Sequence, residues 1–280
     1  MPTFKPPAVL FLAAILLYFA GFVFKGALVD PPPVPTRVAP DAFDTERAVA
    51  RLARILGDQR PHPVDSGAND AVRERLLAEI RALGYAPEIR DDFACSGRAR
   101  WGAVACARVR NVLFRTGPEG GDAVLVASHY DSVGAGPGAG DDGIGVASAL
   151  EIAALLKGRA LKRPVIFLFT DGEEAGLLGA ASFVRKDPYA KDVAAVVNLE
   201  ARGVSGKALM FETASPNGRS VDAFARVSAP AANSLATAIY KMMPNDTDMT
   251  EFLALQPDAL NFAITRRVAF YHTPHDNLAN

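Results

Sequence analysis

Short apolar runs alternate with helical patterns through much of the chain. The runs at residues 123–128, 164–169 and 193–200 are of strand type, whereas residues 145–156 and 176–185 have helical patterns. Strands that alternate with helices predict β-α-β units, because a helix must return the chain before the next parallel strand begins. The alternation continues as strand, helix and strand at residues 208–213, 221–227 and 259–264. We therefore predict a three-layer α/β domain with a largely parallel sheet.

Two helical patterns precede these strands. The first is an approximate apolar stripe from Phe43 to Leu56. The second is clearer, because apolar residues recur at spacings of three and four between Asn69 and Gly84. Asn69 is a suitable N-cap and Gly84 a suitable stop, so we predict that Asn69 caps the second helix.

The first forty residues have a different character. Residues 8–24 form an uninterrupted apolar run of 17 residues. At about 1.5 Å per residue this run just spans a bilayer core, so we predict a transmembrane anchor. A stiff Pro-rich linker follows over residues 30–40, which leaves one globular domain at residues 41–280. The alternatives are a buried soluble helix and a cleaved signal peptide, whose apolar region is shorter, about 7–15 residues.

Net charge and cysteine content limit the partners and the cellular compartment that we expect for this domain. With a net charge of -1 and 50% apolar residues, the chain can fill a core but lacks the basic excess that nucleic-acid binding requires. Lys5 precedes the predicted anchor and Lys25 follows it, so positive charges do not fix its orientation. Cys95 and Cys106 flank a predicted hairpin. A disulfide there indicates an extracytoplasmic side, periplasmic or luminal, whereas two free core thiols are the alternative.

Carboxylates and imidazoles gather at the predicted carboxyl ends of the strands, where ligands bind in open α/β sheets. Imidazole together with carboxylate suits zinc, with manganese or cobalt as alternatives. Five ligands with one shared carboxylate suit two ions about 3.5–4 Å apart, and a further carboxylate would accept a proton. In chain order the groups are His129 with Asp131, Asp141 with Asp142, Asp171 with Glu173 and Glu174, Glu200, and His272 with His275.

Each of these positions also has a purely structural interpretation. A Glu173-Glu174 pair after a strand is usually a solvated loop, and a histidine at a strand end is usually hydrogen-bonded structure. Asp141-Asp142 before a helix would cap that helix. The joint occurrence at successive strand ends favours a metal site, in which one of the two adjacent glutamates binds metal and the other remains free as a base.

Four motifs, in this order, resemble the di-zinc aminopeptidase family: HYDSVGAGPGAGDDGIGVASALE, FLFTDGEEAGLLGA, VVNLEARG and YHTPHDN. The resemblance covers residues 45–280. With RPHPVDSGAND, it is nearest to the membrane-anchored branch of endoplasmic reticulum metallopeptidase and vacuolar membrane protease. It implies the zinc-exopeptidase (phosphorylase/hydrolase-like) fold, a three-layer α/β/α sandwich on a mixed, mostly parallel sheet.

The resemblance implies a role for each matching position. Asp141 resembles the carboxylate that bridges two zinc ions. Glu174 and His272 resemble the remaining ligands of one ion, and His129 and Glu200 those of the other. The remaining roles are a general base for Glu173, an aspartate that orients the His129 imidazole for Asp131, and an aspartate near the substrate pocket for Asp248.

The chain departs from the family in three places. Glu200 stands where many members have Asp, although the membrane-anchored branch commonly has Glu. His275 would compete with His272 as a ligand, but His272 matches the YHTP motif. The chain stops at Asn280, where the family continues with a further helix and its membrane branch with more transmembrane segments, so we expect a domain truncated at its C-terminus.

The resemblance implies a metal-dependent exopeptidase, most simply an aminopeptidase with two zinc ions and peptide substrates. Tyr240 is a candidate oxyanion donor, with a core position as the alternative. The second hypothesis is a single-zinc glutaminyl cyclase on the same fold, and the third is a catalytically inactive, receptor-like binding module. The sequence indicates neither a residue preference nor an oligomeric state, and it does not separate amino- from carboxypeptidase action.

Overall fold

A seven-stranded sheet flanked by helices forms the centre of the computed structural model, which describes residues 6–29, 34–35, 37–96, 104–243 and 245–280. The strands are β1 (Glu88–Cys95), β2 (Cys106–Thr116), β3 (Ala123–His129), β4 (Val165–Thr170), β5 (Val193–Ala201), β6 (Leu209–Thr213) and β7 (Asp258–Ile264). The helices are α1 (Pro6–Val29), α2 (Thr45–Leu56), α3 (Gly67–Ala82), α4 (Ile144–Leu156), α5 (Leu178–Lys186), α6 (Gly218–Phe224), α7 (Ser234–Met242) and α8 (Met249–Phe252).

The strand order across the sheet is β1-β2-β4-β3-β5-β7-β6. The four strands β4, β3, β5 and β7 pair in parallel. The pairs β1–β2, β2–β4 and β6–β7 are antiparallel. Among the described strands β2 and β6 therefore oppose the rest, and the predicted mixed, mostly parallel sheet is confirmed.

Both faces of the sheet are buried, which explains why the parallel strands are continuously apolar. In β4, Phe167 and Phe169 pack in one hydrophobic cluster with residues of α2, α3 and α4. Ile166 and Leu168 face the opposite side, in a second cluster with Phe183 of α5 and residues of α8. The side chains of a strand alternate between the two faces, so one apolar run supplies both layers of a three-layer sandwich.

The predicted cap of α3 is wrong. The helix begins at Gly67, and Ser66 is its N-cap, because the Ser66 hydroxyl accepts a hydrogen bond from the Asn69 amide at 3.1 Å. Asn69 lies inside the first turn, and its side chain is buried. Its amide donates instead to the Asp171 carboxylate at 3.1 Å, so this residue joins α3 to the end of β4.

The N-terminal apolar run forms the helix α1, and its side chains over residues 8–24 are exposed. In the described part of the chain, no helix is long and apolar enough to cross a membrane. The transmembrane anchor at residues 8–24 stays a prediction. Residues 30–33 and 36 of the predicted linker lie outside the described residues.

The two cysteines form a disulfide between paired positions of β1 and β2, so the alternative of two free thiols is wrong. Cys95 ends β1 and Cys106 begins β2, which confirms the predicted hairpin, although residues 97–103 at its tip lie outside the described residues. Closing a loop of this size stabilises the fold by about 2–3 kcal/mol, because the unfolded chain loses conformational freedom.

Candidate active site

The candidate residues meet at one edge of the sheet because their strands are parallel neighbours. His129 is the last residue of β3, and Glu173 and Glu174 follow β4 after a short turn. Glu200 is the penultimate residue of β5, and His272 follows β7. Parallel strands end on the same edge, so residues far apart in sequence are brought together there.

Asp141 lies between two imidazoles. Its Oδ1 is 3.3 Å from Nε2 of His129, and its Oδ2 is 2.9 Å from Nε2 of His272. The aspartate is 3% exposed and lies in the tight turn Ala139–Gly143, before α4. One carboxylate therefore presents an oxygen to each of two nitrogen donors, which is the arrangement expected of a bridging ligand.

Each imidazole has a second carboxylate beside it. Nε2 of His129 is 3.9 Å from Oε2 of Glu200, and Nε2 of His272 is 3.0 Å from Oε1 of Glu174. Within each of the sets His129–Asp141–Glu200 and Asp141–Glu174–His272, the candidate ligand atoms lie within 4.8 Å of one another. A third set at the same spacing joins His129 to both glutamates, Glu173 and Glu174.

The donor set fits a divalent transition metal. Two imidazole nitrogens and three carboxylates are the ligands that zinc takes in catalytic sites. Oε1 of Glu174 is buried and accepts no hydrogen bond from any residue that the structure describes, although Nε2 of His272 lies close to it. A buried carboxylate oxygen left in this state is costly unless a cation or proton satisfies it, so the residues fit the metal that the sequence predicts.

Asp131 organises the backbone around the predicted base. Its carboxylate accepts hydrogen bonds from the amides of Glu173 at 3.0 Å and Glu174 at 3.3 Å. Nδ1 of His129 is 3.0 Å from the Asp131 carbonyl oxygen and 3.6 Å from its carboxylate. An Nδ1–H that donates to this carbonyl leaves the Nε2 lone pair directed at Asp141 and Glu200, as metal binding requires.

Asp171 is turned away from the other acidic residues of its motif. Its carboxylate accepts hydrogen bonds from the Asn69 side chain at 3.1 Å and from the Arg110 amide at 2.9 Å. Gly172 follows with φ of 76°, a left-handed conformation that favours glycine and reverses the chain. Within the acidic motif, Asp171 therefore stabilises the loop, whereas Glu173 and Glu174 enter the site.

Most carboxyl groups of the cluster have raised pKa values. Burial raises the pKa of Glu174 to about 7 and that of Glu200 to about 8, and the nearby Asp141 charge acts in the same direction. Burial also raises the pKa of Glu173 well above its ordinary value, with the charge of Glu200 as the next cause. Asp141 is the exception, because hydrogen bonds from His129 and His272 outweigh its burial and lower its pKa to about 2.

Two further carboxylates shape the turn that carries Asp141. Oδ1 of Asp142 accepts a hydrogen bond from the Gly145 amide at 3.1 Å, so the predicted capping interpretation holds for Asp142 but not for Asp141. Asp276 is 2% exposed and accepts hydrogen bonds from the amides of Gly140 at 2.5 Å and Asp141 at 3.1 Å. The sequence analysis missed Asp276, although it lies within the YHTPHDN motif.

Asp248 is buried beside the cluster. Its Oδ2 accepts a hydrogen bond from the hydroxyl of Thr170, at the end of β4. Its Oδ1 accepts none from the residues in the described ranges, and burial raises the pKa of the carboxyl to about 7. Asp248 therefore lies beside the cluster with one oxygen available to another group.

Glu200 is held by a buried pair of asparagines that the sequence analysis did not single out. The Asn198 amide donates to Oε1 of Glu200 at 3.3 Å and to the Asn261 side chain at 3.1 Å. Asn261 in turn donates to Glu212 at 2.9 Å. This chain of hydrogen bonds occupies Oε1 and leaves Oε2, the oxygen nearest His129, for a metal.

Tyr271, and not the predicted Tyr240, is the tyrosine that stacks on His272. Tyr271 stacks on His272 with ring centroids 3.7 Å apart, and burial followed by the carboxylates of Asp141, Glu174 and Glu173 raises its pKa. Tyr240 packs edge-on against Phe211, with centroids 4.8 Å apart, and is half-buried rather than part of the core. His275 is exposed and packs on Phe270, so of the two histidines His272 is the one that joins the cluster.

The sequence profile of peptidase family M28 matches residues 111–280, and the chain belongs to this family. The predicted resemblance and fold are thereby confirmed. A vacuolar membrane protease of Yarrowia lipolytica is 31% identical over 281 residues, covering 92% of this chain and 28% of the relative. Human endoplasmic reticulum metallopeptidase 1 is 34% identical over 176 residues, covering 60% of this chain and 20% of the relative. The chain thus spans less than a third of the length of either relative.

Solved structures share the fold at low sequence identity. A zinc aminopeptidase from Bacillus subtilis superposes with a TM-score of 0.67 at 15% identity, covering 89% of this chain and 91% of its own. A glutaminyl cyclase from Porphyromonas gingivalis gives a TM-score of 0.63 at 20% identity, covering 86% and 92%. Because both activities occur on the fold, the choice between them depends on the site.

Proposed function

We propose that the chain is a zinc-dependent metallopeptidase that removes N-terminal residues from peptides, with two zinc ions per chain. One observation carries the proposal: Asp141 lies between two imidazoles, and each imidazole has its own second carboxylate. His129 and Glu200 would hold one ion, His272 and Glu174 the other, with Asp141 between them. Zinc acts as a Lewis acid that activates water as a nucleophile and polarises a carbonyl oxygen.

Glu173 is the proposed general base. Asp131 fixes its backbone through the hydrogen bond to its amide, and burial gives its carboxyl a raised affinity for protons. A carboxylate so placed takes a proton from the attacking water and delivers it to the leaving amine. It differs from Glu174 in this role, because the Glu174 side chain is directed at His272.

Two further residues are assigned to the substrate. The hydroxyl of Tyr271, beside His272, replaces Tyr240 as the proposed donor to the oxyanion that forms on the scissile carbonyl. Asp248, with one carboxylate oxygen uncommitted among the described contacts, would accept a hydrogen bond from the substrate's free amine. Together they place the amine and the carbonyl at defined positions relative to Glu173.

Metal analysis combined with a substrate panel tests the proposal. Full-length protein is expected to retain two zinc ions per chain and to release arylamine from aminoacyl-arylamides, and a chelator should abolish the release. One zinc ion together with pyroglutamate formation from N-terminal glutamine would indicate a glutaminyl cyclase instead. Absence of tightly bound zinc would indicate a binding module without catalysis.

The relatives' names motivate a second proposal, that the chain associates with a membrane. The exposed apolar side chains of residues 8–24 are the candidate contact surface, and the disulfide favours an oxidising, extracytoplasmic location for the domain. The full chain should float with lipid vesicles in a density gradient, whereas a chain without residues 1–40 should not. Equal flotation of both chains would contradict the assignment to this segment.

A further inference from the structure

Arg202 lies at the border of the candidate site. It follows β5 two residues after Glu200, and its backbone amide donates to the Ile264 carbonyl at 2.8 Å, which fixes its loop against the end of β7. Its guanidinium carbon is 5.0 Å from the centroid of the Tyr271 ring. The His272 ring packs against Tyr271 at 3.7 Å, nearly parallel to it. The Tyr271 ring therefore contacts both the Arg202 guanidinium and the His272 imidazole, which places Arg202 near the site.

No carboxylate in the described ranges pairs with Arg202. Among the residues that the structure describes, none accepts a hydrogen bond from its guanidinium or forms an ion pair with it, and the residue is half-buried. Arg90 and Arg110, by contrast, pair with carboxylates at 2.7 Å and 2.9 Å. The contact with the Tyr271 ring holds the guanidinium in place without consuming its N–H donors. A cation so held is suited to bind a carboxylate through two parallel hydrogen bonds.

We propose that Arg202 binds the free C-terminal carboxylate of short peptides and so makes them the preferred substrates. The inference rests on the proposed peptidase function and names its substrate class. The two contacts through the Tyr271 ring limit the separation of Arg202 and His272 to roughly two to three residues of extended chain. A tripeptide cleaved after its first residue therefore has the length to place its C-terminal carboxylate at Arg202.

A comparison of peptide acids with peptide amides tests this assignment. For the wild-type chain, we expect kcat/KM for Leu-Gly-Gly to exceed that for Leu-Gly-Gly-amide by about tenfold or more, the effect of one charge-assisted hydrogen bond. Arg202→Met should bring this ratio close to one, mainly by raising KM for the acid. Arg202→Lys keeps the charge but does not donate two parallel hydrogen bonds, so it should give an intermediate acid-to-amide ratio.

Arg267→Met is the matched control. This arginine lies in a neighbouring loop, but its guanidinium packs on Phe270 and donates to the Asn280 carbonyl at 2.8 Å. Its replacement removes the same charge and should leave the acid-to-amide ratio at the wild-type value. Equal loss of the ratio in both variants would overturn the assignment, because it would indicate a general positive field rather than a contact with Arg202.

A structural role for Arg202 predicts a different outcome. If the side chain served only to support Tyr271 and His272, Arg202→Met would reduce turnover of acid and amide equally and leave the ratio unchanged. That result, or a wild-type ratio near one, would overturn the proposal. Leu-Gly-Asp-amide separates the two sources of carboxylate: we expect it to behave like the amide, and acid-like behaviour would show that a side chain is recognised instead.

Binding measurements separate this inference from the proposed function. Calorimetric titration of the zinc-loaded Glu173→Gln chain with Leu-Gly-Gly and its amide should show the same acid preference, lost on adding Arg202→Met. If no peptide is hydrolysed by the wild-type chain but this binding preference is found, the Arg202 assignment stands and the hydrolase proposal fails. If peptides are hydrolysed and bound without acid preference, the hydrolase proposal stands and the Arg202 assignment fails.

Discussion

Replacing Glu173 by glutamine should lower kcat for peptide hydrolysis by about 10²–10⁴-fold while the proposed zinc ions remain bound. Glutamine has nearly the shape of glutamate, but its amide does not accept the proton that the attacking water must lose. The metal should stay, because Glu173 is not among the five proposed ligands. Steady-state kinetics with a peptide substrate and zinc analysis of the same preparation measure both parts of the prediction.

The Glu174→Gln variant, changed at the neighbouring residue, is the most informative comparison with Glu173→Gln. Its side chain faces His272, and the loss of its charge should remove zinc from that end of the cluster. Glu119→Gln, on an exposed loop between β2 and β3, should change neither zinc content nor kcat. A Glu173→Gln chain with full activity would disprove the base assignment, and one that lost zinc would instead make Glu173 a ligand.

Removal of zinc should lower the midpoint of thermal unfolding by on the order of 10 °C at pH 8. Zinc at a thousandfold excess over its dissociation constant adds about 4 kcal/mol to the free energy of unfolding. For a chain of this size, each kcal/mol corresponds to about 2–4 °C. The gain is expected because the five ligands come from five separate parts of the chain and form a site only in the folded state. Thermal scans with and without a chelator measure the shift.

The effect of zinc should be smaller at pH 6. Without metal, burial raises the pKa of Glu174 to about 7 and that of Glu200 to about 8, from 4.5. The folded chain then binds more protons than the unfolded chain, so this contribution to stability is complete below about pH 4.5 and is lost as the pH rises through 7 and 8. The metal-free protein should therefore unfold at a lower temperature at pH 8 than at pH 6, whereas deprotonated carboxylates bind zinc better at pH 8.

Asp141→Ala provides the control for both pH values. It removes the carboxylate between the two imidazoles, so zinc should no longer shift its unfolding midpoint. Unfolding midpoints of the wild-type chain that are the same with and without zinc at pH 8 would contradict the metal centre. A zinc shift that was retained in Asp141→Ala would exclude a bridging role for this residue.

The buried parallel strands of the sheet were predictable from the sequence. Buried parallel strands are apolar on both faces, so runs such as residues 164–169 and 193–200 mark them directly. Because ligands bind at the carboxyl ends of such strands, the positions of His129 and Glu200 followed from the strand assignments. The family resemblance supplied the roles, which spacing alone left open.

The errors have a common physical origin, because they concern contacts between segments distant in sequence. Asn69 has the residue type of a cap, but Ser66, three residues earlier, caps the helix, and the Asn69 side chain bonds to Asp171, about a hundred residues away. Tyr240 and Tyr271 are both tyrosines near apolar runs, and only the fold shows which one meets His272. Asp276 was read as part of a motif without a role, because its two amide partners lie in another turn.

The two ends of the cluster differ in their access to water. The His129 side chain is 1% exposed, beneath the sheet edge, whereas the His272 side chain is 36% exposed. Small molecules from solution therefore reach the His272–Glu174 end first, and the His129–Glu200 end is shielded by the rest of the protein. An ion at the outer position would exchange with the surroundings without local opening, while the inner position would release its ion only when the enclosing loops move apart.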